Sequence, residues 1–327
     1  MTKSHEKVRV GIIGAGGIAN DVHLPSLRDI EGAEMVAVCD VIAERAERAS
    51  AGYGIPATYT LYQEMLDRES LDAAFVLTEP DQLFRPAVRC LRAGLHVFME
   101  KPPGVTTFQA ESLSREAAGA ERICQVGLNR RHVPVVARVL ELLRQHTPIT
   151  QVDVQFNKHT SASFCEGSVS AFESDVIHVV DLVRWIAGGE PADAATVEEH
   201  FQDVVPNRWN SVIRFDSGVT GTVRANYMAG GRIHNLELHG PGGSARVELG
   251  TGKARCGAEV LLHDGQQRIR LDGREVAGGD DFHVYYGYLQ EDREFIDCVR
   301  AGRQPDVTID EAVKDMKLID LLRASRI

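Results

Sequence analysis

The sequence lacks the cysteine and histidine spacings that build metal centres and disulfide frameworks. Its six cysteines stand far apart with no Cys-x-x-Cys pair, which argues against a zinc ribbon and against a disulfide-stapled fold. Its twelve histidines form neither a His-x-x-x-His nor a His-Glu-x-x-His motif. We therefore expect no metal site.

Positive charge and long apolar runs are also scarce. With 36 basic and 47 acidic residues the formal net charge is −11, which argues against nucleic acid or an anionic membrane as a partner. No apolar run approaches the length of a membrane span. The chain starts with a polar stretch rather than an apolar leader, so we expect no signal peptide and a cytoplasmic location.

A strand-like segment near the start of the chain runs directly into a glycine turn. Residues 8–13 (VRVGII) predict a buried strand, because β-branched residues pack well on a pleated sheet. Residues 14–19 (GAGGIA) form a Gly-x-Gly-x-x-Ala turn that opens a helix. Such a turn lets a pyrophosphate approach the backbone and the free N–H groups of the helix start. We therefore expect a dinucleotide-binding turn made of Gly14, Ala15, Gly16, Gly17 and Ile18.

An acidic residue stands where a dinucleotide site needs one. Residues 34–39 predict a second strand, and Asp40 closes it. A carboxylate there can accept both ribose hydroxyls of the adenosine half of NAD, and it repels the 2′-phosphate of NADP. We expect NAD as the cofactor, with NADP left open because Arg45 and Arg48 lie on the next helix.

Strands and helices alternate through the first part of the chain, and the rhythm then changes. The alternation predicts an α/β, doubly wound parallel sheet of the Rossmann type over residues 1–128. Residues 129–327 contain one strong apolar helix, a run of short strand-like segments and two final helices. This pattern predicts an α+β domain with a large, mostly antiparallel open sheet, for substrate binding and oligomerisation. The final helices can pack back on the first domain.

Polar residues follow the strands of the first domain, where ligands of such sheets bind. Glu100-Lys101-Pro102 is typical of a solvated surface turn when it stands alone. At the end of a core strand we favour a functional site, because an ammonium can hydrogen-bond a substrate hydroxyl and a ribose hydroxyl together. We expect cofactor contacts from Thr78, Glu79, Glu100, Lys101 and Asn129.

These motifs together resemble the Gfo/Idh/MocA oxidoreductase family. The resemblance is carried by the glycine turn, Asp40, residues 93–102 (AGLHVFMEKP), residues 127–131 (GLNRR) and residues 301–305 (AGRQP). It extends over essentially the whole chain and is most specific over residues 8–131. It implies a Rossmann domain, an open-sheet domain, NAD(P), and redox chemistry at an oxygen-bearing carbon of sugars, cyclitols or similar polyols.

Two departures from the family's pattern concern the catalytic base. Where the family often has His after its Thr-Pro-Pro turn, this chain has Leu83 after residues 78–82 (TEPDQ). The family commonly places Asp four residues before a catalytic His. Here Ser174 stands four residues before His178, and Asp175 stands three before it.

The predicted helix that carries His178 has one narrow polar stripe. Within residues 176–186 the three residues that are not apolar are His178, Asp181 and Arg184, each three apart, and Asp175 extends the series. Residues at this spacing share a helix face. The stripe faces either solvent or a wet cavity, and beside a nicotinamide site we favour the cavity. Asp175 could then hold the tautomer of the His178 imidazole.

The motifs predict hydride transfer to or from NAD, and the resemblance implies a sugar-like or polyol substrate. We expect a homodimer or homotetramer. We assign the proton to His178 and the orientation of the substrate oxygen to Lys101, because free histidine titrates near about 6.5 and lysine near about 10.4. The histidines other than His159, His178 and His234 are expected at the surface. Expected substrate contacts are Arg130, Arg131, Asn157, Asp181 and Tyr286, with His159, Trp209, Tyr227, His234 and Tyr285 as weaker candidates.

Two rival functions stay open at this level. The departures at Ser174 and Leu83 suit a catalytically incomplete dinucleotide-binding sensor or scaffold. A hydrolase or transferase could instead use bound NAD as an internal redox carrier. Net formation or consumption of NADH separates the dehydrogenase from both rivals.

Overall fold

The structure is a computed structural model that describes residues 7–327, and these divide into two compact units. The first unit comprises residues 7–128 and 288–313, and the second comprises residues 129–287 and 314–327. Within residues 7–327 no helix is both long and apolar enough to cross a membrane.

A six-stranded sheet forms the centre of the first unit. Its strands are β1 Val8–Ile13, β2 Ala33–Cys39, β3 Ala57–Tyr59, β4 Ala73–Val76, β5 His96–Glu100 and β6 Cys124–Gly127. All neighbouring strands are parallel, in the order β3-β2-β1-β4-β5-β6. This order brings two mononucleotide-binding halves together at β1 and β4. It confirms the predicted doubly wound sheet.

The helices that connect these strands are short, and a 3₁₀ turn at Pro80–Gln82 precedes the fourth. They are α1 Leu24–Arg28, α2 Ala43–Tyr53, α3 Tyr62–Arg68, α4 Phe84–Arg92 and α5 Thr107–Ala120.

A π-helical turn at Ala19–His23 precedes α1. Pro25 has no N–H to donate to the carbonyl four residues before it, and a widened turn accommodates that loss. The N–H of Leu24 bonds instead to the carbonyl of Ala19. As a result His23 is fully buried, although the sequence analysis expected it at the surface, so that expectation is wrong.

An eight-stranded, mostly antiparallel sheet forms the centre of the second unit, beside a two-stranded ribbon of β8 and β9. The strands are β7 Gln151–His159, β8 Ser163–Phe164, β9 Val169–Ser170, β10 Pro191–Glu199, β11 Arg208–Phe215, β12 Thr220–Asn226, β13 Met228–Gly240, β14 Gly243–Leu249, β15 Cys256–Leu262 and β16 Gln267–Asp272. The large sheet has the order β10-β11-β12-β7-β13-β14-β15-β16, and only the β12–β7 pair is parallel. The predicted open, mostly antiparallel sheet is confirmed.

The remaining helices begin after a 3₁₀ turn at Asn129–His132, and a second such turn lies at Cys165–Gly167. They are α6 Pro134–Arg144, α7 Ala171–Ser174, α8 Ile177–Ala187, α9 Gly273–Ala277, α10 Phe282–Tyr285, α11 Tyr288–Ala301 and α12 Ile309–Ala324. The helix predicted from Asp175 starts two residues later, because Asp175 ends α7 with a non-helical φ of −129°.

Helix α8 packs against β7 and β12. Val152, Val154 and Phe156 alternate along β7 and are buried, as expected for the core-facing side of a half-buried strand. On β12 a Cβ atom at Gly221 would lie 2.4 Å from Cγ1 of Val183. Glycine is therefore required for α8 to lie this close to the sheet.

Candidate functional site

The glycine turn after β1 has the backbone geometry that phosphate binding requires. Gly14 has a φ of +101°, and a Cβ there would lie 2.6 Å from the carbonyl oxygen of Leu77, so only glycine fits. A Cβ at Gly16 would meet nothing within 4 Å, so this backbone faces open space. Ile18 stands at the start of the π-helical turn. The turn leaves room for a pyrophosphate against the main chain.

Asp40 is tied to this turn. Its Oδ2 accepts the N–H of Ala15 at 2.8 Å, and its Oδ1 accepts the N–H of Ile42 at 2.9 Å. Each carboxylate oxygen has two lone pairs, so each keeps one for a ribose hydroxyl. The carboxylate is therefore held in place before any ligand binds.

A cavity of about 560 Å³ brings five of the predicted cofactor contacts together: Gly14, Gly16, Asp40, Thr78 and Glu79. Oγ1 of Thr78 is buried and has no hydrogen-bond partner within residues 7–327. A second cavity of about 470 Å³ is lined by Ala15, Gly16, Gly17, Asn20, Arg45, Arg48 and Glu79. These residues fit a dinucleotide. The sequence analysis did not single out Arg85, which also lines the larger cavity.

Glu100, at the end of β5, belongs to a buried group of three charged side chains. His23 Nε2 lies 3.1 Å from Glu100 Oε1, and His23 Nδ1 lies 3.0 Å from both carboxylate oxygens of Asp292. Both ring nitrogens face carboxylates, so both donate, which requires the imidazolium form. The rings of Phe75, Phe98 and Tyr288 surround this imidazole edge-on.

The electrostatics of this group agree with its geometry. Burial opposes charge on His23, but Asp292 and Glu100 outweigh it and raise the pKa of His23 to about 10. Burial likewise opposes charge on Glu100, yet the hydrogen bond and charge of His23 lower the pKa of that carboxyl. At Asp292 the effect of burial is larger than that of the charge and hydrogen bond of His23, so the pKa of the Asp292 carboxyl is raised. The imidazolium is thus the stable form at neutral pH.

The same group holds the main chain at Lys101. Oε2 of Glu100 accepts the N–H of Lys101 at 3.1 Å. The Lys101 side chain is half-buried, and its peptide bond to Pro102 is cis. His23 therefore positions Glu100, and Glu100 positions Lys101. Sequence reasoning missed both His23 and Asp292. The one available signal was a histidine between apolar Val22 and Leu24.

We expect the protonation of His23 to make stability fall as pH rises through the alkaline range. A pKa of about 10 in the folded state stands against an ordinary value of about 6.5 in the unfolded chain. The resulting stabilisation is complete below pH of about 6.5 and is lost toward pH of about 10, by at most about 1.4 kcal/mol per pH unit.

The measurement is denaturant unfolding at several pH values between neutral and alkaline. His23→Gln should flatten the decline in unfolding free energy, whereas the control His159→Gln, at an exposed position, should leave it unchanged. Equal slopes for wild type and His23→Gln would contradict the assignment of a buried imidazolium.

In the second unit, Asp175 is engaged by two neighbours. Its Oδ2 accepts the hydroxyl of Tyr227 at 2.6 Å and forms an ion pair with Nζ of Lys158. Burial and the adjacent carboxylate raise the pKa of Tyr227 well above its usual value, so its hydroxyl stays a donor. His178, the second residue of α8, is buried as well.

The rest of the polar stripe on α8 is buried among opposite charges. Asp181 accepts from Nε of Arg131 at 2.8 Å, and Arg184 donates to Asp315 at 2.6 Å. The interpretation that the stripe faces solvent is therefore wrong. These two ion pairs tie α8 to the 3₁₀ turn at Asn129–His132 and to α12, and substrate contact by Arg131 and Asp181 stays a prediction.

Two further predicted contacts meet at Tyr286. Asn129 donates to the carbonyl of Tyr286 at 2.8 Å, and the guanidinium of Arg130 lies 4.5 Å from the Tyr286 ring centroid. Asn157 is placed elsewhere. It alternates with Phe156 on β7 and so lies on the face of the sheet opposite to α8.

Within residues 7–327 no group of three or more His, Cys, Asp or Glu side chains could hold a metal ion. The candidate residues of the first unit therefore form a nucleotide cavity and, at the end of β5, a lysine whose main chain is held by Glu100. Those of the second unit form a buried polar cluster beside α8.

Comparisons with known proteins agree with this architecture. A model of the oxidoreductase family with an NAD-binding Rossmann fold, GFO_IDH_MocA, matches residues 8–128, and a model of the GFO/IDH/MocA C-terminal domain matches residues 154–246. The oxidoreductase YceM of Salmonella typhimurium is 30% identical over 96% of this chain and 97% of its own length.

Two other similar proteins have names that state a substrate. The myo-inositol 2-dehydrogenase of Thermotoga maritima is 24% identical over 92% of this chain and 91% of its own. A solved structure of levoglucosan dehydrogenase with NADH and levoglucosan has a TM-score of 0.85 at 18% identity, over 98% of this chain and 97% of that one. At this identity the solved structure shows a shared fold.

Proposed function

Because this chain belongs to the Gfo/Idh/MocA family of NAD(P)-dependent oxidoreductases, we propose that it oxidises a CH–OH group of a sugar, cyclitol or related polyol, or reduces the corresponding carbonyl. The observation that carries this proposal is the fixed lysine. Lys101 follows a core strand of the nucleotide-binding unit, and its main chain is held by the buried Glu100–His23 pair. The names of the inositol and levoglucosan dehydrogenases support the substrate class.

The residues divide the task by position. The glycine turn and Asp40 bind and orient the dinucleotide, with Thr78 and Glu79 lining its cavity. NAD, when bound, supplies the hydride acceptor. The ammonium of Lys101 orients and polarises the substrate oxygen, and the imidazole of His178 accepts or returns the proton of that oxygen. Asp175 keeps this imidazole in the productive tautomer.

The proposal includes a homodimer or homotetramer in the cytoplasm. The face of the large sheet away from α8 exposes the apolar side chains Val197, Val212 and Ile233. A face of this kind is suited to a subunit contact. The proposed partner in catalysis is a small polyol-like molecule, since a net charge of −11 does not favour nucleic acid.

A two-stage assay tests the proposed function. Thermal unfolding with NAD and with NADP should show stabilisation by NAD, by about 2.7 kcal/mol at a hundredfold excess over Kd. A panel of cyclitols, sugars and sugar alcohols is then followed at the NADH absorbance, where at least one compound should give turnover. Binding of NAD without turnover on any compound would favour the sensor or scaffold, and product without net NADH change would favour the internal redox carrier.

A further inference from the structure

Basic side chains gather around one aromatic ring in the second unit. We call Phe156, Lys158, Arg232 and His234 the Phe156 cluster. The Lys158 ammonium lies 4.6 Å and the Arg232 guanidinium 5.6 Å from the Phe156 ring centroid, and the His234 ring stands edge-on at 4.9 Å.

The sheet register brings these residues together. Phe156 and Lys158 are two residues apart on β7, so their side chains lie on the same face of the sheet. His234 is the direct partner of Phe156 on β13. The pairing of β13 with β7 is irregular between Met228 and Ile233, and Arg232 lies in this irregular segment. Because the pairing is interrupted there, the Arg232 side chain can point toward the Phe156 ring.

Two side chains of the cluster, Lys158 and Arg232, are cationic. Arg232 donates to the hydroxyl of Tyr286 at 3.2 Å, and within residues 7–327 no carboxylate lies at ion-pair distance from it. Arg130 covers the ring of the same tyrosine. The Lys158 ammonium forms an ion pair with the carboxylate of Asp175.

His234 adds a second, independent observation. It is 3% exposed, and neither of its ring nitrogens has a hydrogen-bond partner within residues 7–327. Buried polar groups in folded proteins are rarely left without a partner, so an orphaned one calls for a partner such as a bound ligand or water. Burial, followed by Arg130, Arg232 and Lys158, lowers the pKa of His234 well below its ordinary value. The ring is therefore neutral and presents one N–H donor.

We propose that the Phe156 cluster binds an anionic oxygen group, a carboxylate or a phosphate, carried by the substrate. This inference rests on the proposed function and narrows its substrate class from neutral polyols to polyol acids or polyol phosphates. Arg232 supplies a planar fork of donors over an aromatic ring, the arrangement that binds such groups bidentately. Lys158 supplies a second charge, and the half-buried cluster reduces competition from water.

The test measures binding, so that it does not depend on turnover. The NAD-saturated protein is titrated calorimetrically with two matched pairs: gluconate against glucitol, and glucose 6-phosphate against glucose. The variants are Arg232→Gln, at an exposed position, and the control Arg224→Gln, an exposed arginine on the opposite face of the sheet. Thermal stabilisation by NAD serves as the check that each variant is folded.

We expect at least one anionic probe to bind tenfold or more tightly than its neutral partner. Arg232→Gln should remove most of that preference, and Arg224→Gln should retain it. Which pair shows the preference distinguishes a carboxylate from a phosphate. The inference is overturned if neither anionic probe binds better than its neutral partner, or if both variants behave alike. Turnover of neutral polyols without an anion preference would overturn this inference and keep the proposed function. Binding of an anionic probe without any change in NADH would keep this inference and overturn the proposed function.

Discussion

Replacing Lys101 with alanine should lower kcat by a factor on the order of 10²–10³ and weaken the binding of NAD far less. In the proposed site the glycine turn holds the phosphates and Asp40 binds the ribose, and neither task involves the Lys101 side chain. A group that stabilises charge only while the bond to hydrogen changes contributes to turnover, not to ground-state binding. The measurement is kcat on the identified substrate together with calorimetric titration of NAD.

Lys253→Ala is the matched control, because it removes an exposed lysine outside the candidate site. It should keep turnover near that of the wild type. A folded Lys101→Ala protein with near-normal kcat would show that the lysine is not the orienting group. An equal loss of NAD affinity in that variant would instead assign Lys101 to cofactor binding.

Replacing His178 with asparagine should slow oxidation by a factor on the order of 10²–10⁴, the usual contribution of a positioned acid–base group. In the oxidative direction only the neutral imidazole accepts a proton, so the wild-type rate falls as pH drops. His178→Asn should remove this acidic limb from the profile of kcat/KM against pH. A simple packing defect would lower the rate without removing the limb.

Asp175→Asn should move the acidic limb to lower pH. The substitution removes a carboxylate that favours the imidazolium and leaves the ammonium of Lys158 without that counter-charge. Both changes disfavour the imidazolium form of His178. The control His200→Asn, at an exposed position, should keep the wild-type profile. Wild-type profiles for both His178→Asn and Asp175→Asn would show that His178 is not the group that accepts the proton.

The sequence predicts local features of this protein well and distant pairings poorly. Gly14 and the parallel sheet follow from glycine spacing and from the alternation of strands and helices, both of which are local. The spacing of His178, Asp181 and Arg184 predicts a shared helix face, but not their surroundings. The stripe is buried because Arg131 and Asp315 supply opposite charges from other parts of the chain.

In the candidate site even more of the contacts join residues that are far apart in the sequence, which the sequence does not predict. His23 meets Asp292 across 269 residues, and no periodicity links them. The Phe156 cluster depends on the register of β7 with β13 and on an irregular pairing, which residue composition does not encode. The patterns predict which elements form, whereas tertiary contacts decide which side chains meet.

The contact between His23 and Asp292 also limits how far the nucleotide-binding unit can be treated as a transferable module. Helix α11 starts at Tyr288, far along the chain from the end of β6 at Gly127, and it supplies Asp292. It also supplies the carbonyl of Glu291, which accepts from Gln125, and the ring of Phe295, which packs on Phe75 and Phe98. A fragment ending at Leu128 would keep the glycine turn, Asp40 and Lys101 but lose Asp292, one of the two carboxylates that face His23. A grafted nucleotide-binding domain therefore has to include α11. Without Asp292 of that helix, His23 loses one of its two carboxylate partners, and the contacts that hold Glu100 and the main chain of Lys101 are weakened.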